Sequence, residues 1–128
     1  MFDLLSRISD SYEKLDSALL ATTLSDKAKV VSIRYVGNTK KEATKNKGFF
    51  IGTIYELIYA KYSYEYYKME LKNIVSTSKN SWEVECIANS KLVMSDEEYS
   101  KDESEQSLII GIVNGHVVVT GGIIRHIE

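Results

Sequence analysis

The side chains best suited to chemistry are few. Cys86, His116 and His126 are the only cysteine and histidines in the chain, and no two of them are spaced as a ligand pair. A structural zinc site takes four such ligands, so no metal is expected. Cys86 stands between Val84 and Ala88 on one parity of an alternating segment. A thiol there behaves as a small hydrophobe rather than a nucleophile. No Gly-x-Ser-x-Gly turn presents a serine: the spacing of Gly48 and Gly52 encloses Phe49, Phe50 and Ile51. Neither a P-loop nor a Gly-x-Gly-x-x-Gly turn occurs, so no cofactor is expected. In the acidic run from Asp96, Lys101 stands where a calcium loop needs glycine and Ser107 where it needs its bidentate glutamate. Glu83 and Glu85 would lie ~7 Å apart on one strand face. Neighbours on a polar face share one solvated environment, whereas acid–base work needs two different ones. On these grounds no residue is assigned a catalytic role.

Two features are left. Tyr55, Tyr59, Tyr62, Tyr64, Tyr66 and Tyr67 crowd one segment of a chain with nine tyrosines. Read as strand, Tyr62, Tyr64 and Tyr66 make an aromatic stripe on one face. Such a stripe can anchor a protein partner or stack bases, because tyrosine has an apolar body and a polar tip. Strand propensity alone also enriches tyrosine. Charge is the second feature. Lys40, Lys41, Lys45 and Lys47 form a basic stretch able to grip phosphates as point charges. Asp96, Glu97, Glu98, Asp102, Glu103 and Glu105 form an acidic one, broken only by Lys101 and uncharged residues. Runs of this kind are also what solvated loops look like. The net charge of −2 argues neither for nor against a polyanionic partner.

The elements that position these residues follow from periodicity. Leu5, Ile8, Tyr12, Leu15 and Leu19 recur at helical spacing and predict an amphipathic helix within residues 1–22. From residue 28 onward the pattern is mainly β. Val31, Ile33 and Tyr35 alternate with Ser32 and Arg34 up to Gly37-Asn38, and residues 38–47 read as a polar loop. The glycines at 48 and 52 suggest a bulge. Residues 54–71 alternate as strands, with a one-residue phase slip between Tyr66 and Tyr67; the alternative is a second central helix over 53–74. Trp82 to Met94 is the clearest strand, and residues 95–106 read as an exposed acidic loop. Leu108–Val113 and His116–Thr120 flank Asn114-Gly115, a hairpin turn in which both central residues take positive φ. Gly121-Gly122 then bends the chain before a last strand holding Ile123, Ile124 and Ile127.

Isoleucine and valine total 23 against ten leucines, and proline is absent, a composition that leans toward strands. The length, 128 residues, suits a single domain. The fold class expected is α+β: an N-terminal helix packed on a curved, mainly antiparallel sheet of about six to eight strands, cystatin-like or a partly closed barrel. One cysteine forms no internal disulfide, Asp3 stands where a signal peptide wants positive charge, and no apolar run is long enough to span a bilayer. A cytoplasmic protein away from membranes is expected. Locally, Ile112 to Gly121 resembles the closing hairpin of BON domains, from which no family, activity or site is carried over.

Together these readings point first to a small non-catalytic interaction protein. It would present a sheet face with Tyr62, Tyr64 and Tyr66, or the acidic segment with Asp96, Glu97, Glu98, Asp102 and Glu103, to a protein partner or to its own copy. The second reading is single-stranded nucleic-acid binding through Lys40, Lys41, Lys45 and Lys47 beside the tyrosines. A third is a small-ligand binder or enzyme with a pocket inside the curved sheet.

Overall fold

A computed structural model describes residues 2–127. The chain opens with two helices, α1 (Phe2–Glu13) and α2 (Ser17–Ala21), followed by strands β1 (Leu24–Val36) and β2 (Thr39–Asn46). Helix α3 (Lys47–Ala60) leads into β3 (Ser63–Ser78), β4 (Ser81–Val93), β5 (Tyr99–Val113) and β6 (His116–Ile127). The six strands form one sheet in the order β2-β1-β6-β5-β4-β3. Only the β1–β6 pair is parallel. The helices cover one concave face of this curved, open sheet, which is the α+β arrangement the sequence predicts, without barrel closure.

Local chemistry explains the helices. Leu15 takes φ 50° and breaks the first apolar stripe, and the Asp16 carboxylate then accepts from Leu19 N at 3.0 Å to cap α2. Asn46 does the same for α3, accepting from Phe49 N at 2.9 Å. The core lies between helices and sheet. Leu4, Leu5, Ile8, Leu20 and Ile54 meet Val84, Cys86, Leu108, Ile110 and Val119 there. Cys86 is shut inside it, and burial pushes its thiol up to about 11 from an ordinary 9.0. Its alkylation at pH 8 should therefore run about a hundredfold slower than in the urea-unfolded chain, as followed by intact mass.

Several sequence expectations need correcting. Residues 38–47 are not a loop: Gly37-Asn38 is a tight turn and Thr39–Asn46 is the edge strand β2. An edge strand that buries no apolar side chain reads as loop, and lysines on it block pairing with other chains. Residues 47–60 are helical rather than a bulge followed by strands, so the alternative of a central helix holds for its first part. That helix stops at Lys61, φ 62°, and the tyrosines from 64 onward are strand. Residues 99–106 are strand β5, leaving only residues 94–98 outside the strands. The last strand is not separate but the continuation of β6. On β1 the inward parity is Ala28, Val30 and Ser32, the opposite of the Val31–Ile33–Tyr35 row.

Two bulges decide which side chains face inward. On β3, Tyr64 pairs with Leu92 but Tyr66 pairs with Lys91, so Glu65 is the extra residue. The slip lies there and not between Tyr66 and Tyr67. On β6, Val119 pairs with Ile110 and Gly121 with Ile109, so Thr120 is extra. Each bulge moves the residues beyond it to the other face.

Candidate functional site

The concave face is graded along its strands. On β5 the inward residues run Ile110, Leu108, Gln106, Ser104, Asp102, and on β4 they run Val84, Cys86, Ala88, Ser90, Leu92. β1 contributes Val30, Ser32 and Arg34, and β6 contributes Ile124 and His126 past its bulge. One end of the face is apolar and forms the core. The other end is polar and lines a cavity of about 320 Å³, roofed by Tyr12 of α1 and by Phe49, Phe50 and Thr53 of α3. An apolar recess of about 50 Å³ adjoins it, sharing Tyr12, Phe50, Tyr67, Gln106 and Ile124.

A carboxylate–imidazole pair lines the cavity. His126 Nδ1 lies 3.0 and 3.2 Å from the two Asp102 carboxylate oxygens, and Arg34 Nη2 reaches the same carboxylate at 3.4 Å. His126 is only 18% exposed at its side chain. With Nδ1–H donated to Asp102, the ring keeps Nε2 for whatever the cavity holds. A tyrosine triad lines the same cavity. Tyr12 stacks on Tyr67 with centroids 4.4 Å apart, and Tyr64 meets both edge-on, at 6.0 Å from Tyr12 and 5.4 Å from Tyr67. The Glu13 carboxylate accepts from Tyr67 N at 2.9 Å, which ties the end of α1 to the bulged part of β3.

All three phenols are held protonated. Burial raises Tyr64, with the Asp102 carboxylate adding to it. Burial also raises Tyr67, as do Tyr12, Tyr64 and Asp102, while a hydrogen bond with Gln106 works the other way. Tyr12 rises through burial and Tyr64. In the unfolded chain each would ionise near its ordinary 10.0. A group whose folded pKa is raised contributes stability below the unfolded value and loses it as pH climbs toward the folded one. Stability should accordingly fall from about pH 10 upward. The ionisation of these tyrosines, read at 295 nm, should coincide with unfolding, and Tyr67→Phe should flatten the decline.

The residues singled out in the sequence are scattered by this arrangement. Tyr64 is in the cavity, but Tyr66 sits on the opposite face, with Lys68 5.6 Å over its ring, and Tyr62 precedes β3. Of the acidic residues, Asp102 faces inward. Glu103 is exposed on β5, and Asp96, Glu97 and Glu98 occupy the β4–β5 connection. The lysines separate too: Lys40 pairs with Glu42 at 3.4 Å, Lys47 with Asp26 at 2.9 Å, and Lys45 lines the cavity. Lys41 is exposed on the edge strand. Arg34, Ser104 and Gln106 were not singled out, and His126 was weighed only as a metal ligand. The signal for them was one parity turning from apolar to polar along three strands. No group of three or more histidine, cysteine or acidic side chains able to hold a metal ion forms among the described residues, and no described helix is long and apolar enough to cross a membrane.

No family model and no curated protein matches the chain by sequence. Solved structures match it by fold. An NTF2-like protein of unknown function in nutrient uptake from Rhodospirillum rubrum superposes with TM-score 0.75 at 14% identity, over 99% of this chain and 98% of its own. A protein provisionally named scytalone dehydratase from Novosphingobium aromaticivorans gives 0.72 at 12%, over 99% and 81%. A ketosteroid isomerase-like protein from Erwinia carotovora atroseptica gives 0.68 at 11%, over 93% and 87%. These findings correct the reading of a non-catalytic protein that works through an outward sheet face, and the nucleic-acid reading with it. In this fold the sheet curls around a ligand-sized pocket, and here the polar side chains converge inside it rather than on a tyrosine stripe or a lysine loop. What the chain shares with these proteins is an NTF2-like, cystatin-like fold.

Proposed function

We propose that the protein is a proton-transfer enzyme of the isomerase or lyase kind, acting on a small molecule held in the cavity. The observation that carries this reading is the Asp102–His126 pair, 3.0 Å apart in a half-open cavity of about 320 Å³. That volume is at the small end of the range for ligand sites. Asp102 fixes the imidazole tautomer and stabilises the imidazolium that forms when Nε2 takes a proton. The phenols of Tyr64 and Tyr67, kept neutral by burial, are donors for an oxygen on which negative charge develops. The aromatic side chains of Tyr12, Phe49 and Phe50 cover part of the cavity and reduce the water that competes there. Two of the fold neighbours, an isomerase-like protein and a provisionally named dehydratase, bear names from these same reaction classes.

Carbon–hydrogen exchange tests this without the natural substrate in hand. A panel of small ketones, enones and β-hydroxy carbonyl compounds is incubated with the protein in D2O, and exchange at carbon is read by proton NMR. Enzyme-dependent exchange on at least one compound, blocked when Ser104→Trp fills the cavity, is the expected result. Exchange that survives this substitution, or no exchange across the panel, would overturn the proposal.

A further inference from the structure

The cavity carries an unbalanced charge. Arg34 and Lys45 direct their charges toward it against a single carboxylate, Asp102, in a chain whose net charge is −2. Asp102 is already engaged by Arg34 and His126. Lys45 differs from the other lysines of β2. It shares the inward parity with Lys41, the two standing opposite Val30 and Arg34, but it alone is partly buried, and its Nζ lies 4.4 Å from the Phe49 ring centroid. Among the described residues it has no carboxylate within 4.0 Å. Holding a half-buried ammonium near a guanidinium, with no acid beside it, is unfavourable. Burial, and after it Arg34, pulls the Lys45 pKa down accordingly. Edge protection accounts for the exposed Lys40 and Lys41 but gives no reason to direct a cation into a cavity.

We propose that the cavity's ligand is a small organic carboxylate with an apolar body, its charge held by Lys45 and its body lying between Phe49, Phe50 and Tyr64. An anion there would remove the repulsion with Arg34 and give Lys45 the partner it lacks. The aromatic walls supply the area that binds the rest of the molecule. This rests on the cavity being the functional site, and it names the substrate class for the proton transfer proposed above.

Benzoate and cinnamate, against benzamide and cinnamamide of matched shape, are the probes. Affinities are measured by titration calorimetry on the full chain at constant ionic strength. The acids are expected to bind at least about tenfold more tightly than the amides, and Lys45→Met to erase that difference while Lys45→Arg keeps it. Lys45 is on an edge strand outside the core, so both variants should fold, which circular dichroism checks. Amides binding as well as acids, neither binding, or Lys45→Met leaving acid affinity unchanged would overturn the proposal. Failure here with His126-dependent exchange intact leaves the proton-transfer reading standing. Acid binding through Lys45 without any exchange has the converse meaning.

Discussion

His126→Gln is expected to lower the rate of carbon–hydrogen exchange on any compound the protein turns over by about two to four orders of magnitude. Folding should be almost unaffected. Glutamine keeps the side chain polar and can still donate toward Asp102, but it has no basic nitrogen to accept a proton. Asp102→Asn should cost nearly as much, for a different reason. An amide in that place can present its NH2 to the ring, which favours the tautomer carrying hydrogen on Nε2 and so spoils the base. The two effects should not add, since both variants disable one unit. Solvent-exchange rates of the two single variants and the double variant, measured on the same compound, check this. Rates for His126→Gln within threefold of the unmodified protein would remove the imidazole from the chemistry.

Gly122→Ala is expected to destabilise the fold by about 3 kcal/mol or more. Gly122 has φ 147°, a conformation that side chains rarely adopt, and a Cβ there would stand 2.5 Å from Ser107 O and 3.0 Å from Leu108 Cα. Both are backbone atoms of the neighbouring strand, so no rotamer change relieves the clash. Gly52→Ala is the control, because nothing lies within 4 Å of its added methyl. Removing a helix glycine in open space should stabilise by about 0.5–1 kcal/mol. Urea unfolding of the two variants should therefore move the midpoint in opposite directions.

Much of this architecture was legible in the amino-acid sequence, and the misreadings share a cause. The first helix, the Trp82–Met94 strand and the Asn114-Gly115 hairpin were plain because each buries an apolar row against the core. Periodicity reports burial in apolar surroundings, and it falls silent where the inward row is polar. Asp102, Ser104 and Gln106 alternate with Lys101, Glu103 and Glu105 as regularly as any strand does. Polar residues on both parities look like solvent, so β5 passed for an acidic loop. The same blindness hid His126, whose inward neighbour on β6 is Ile124 but whose cavity partners come from β1 and β5. The central helix was obscured for the opposite reason. Only Ile54 is fully buried, while Tyr55, Ile58 and Tyr59 stay exposed, so the helix shows no apolar stripe.

The extra residue at Thr120 gives β6 two reading frames. Up to Val119 the strand is written for the core, and from Gly122 it is written for the cavity. Pairing register past this point thus carries as much information as side-chain identity. Were the same residues paired without the bulge, Ile123 and Arg125 would face inward where Ile124 and His126 stand, and a guanidinium would replace the imidazole beside Asp102. The core ahead of the bulge would be untouched. A scaffold punctuated in this way can exchange a base for a fixed cation through its pairing register alone.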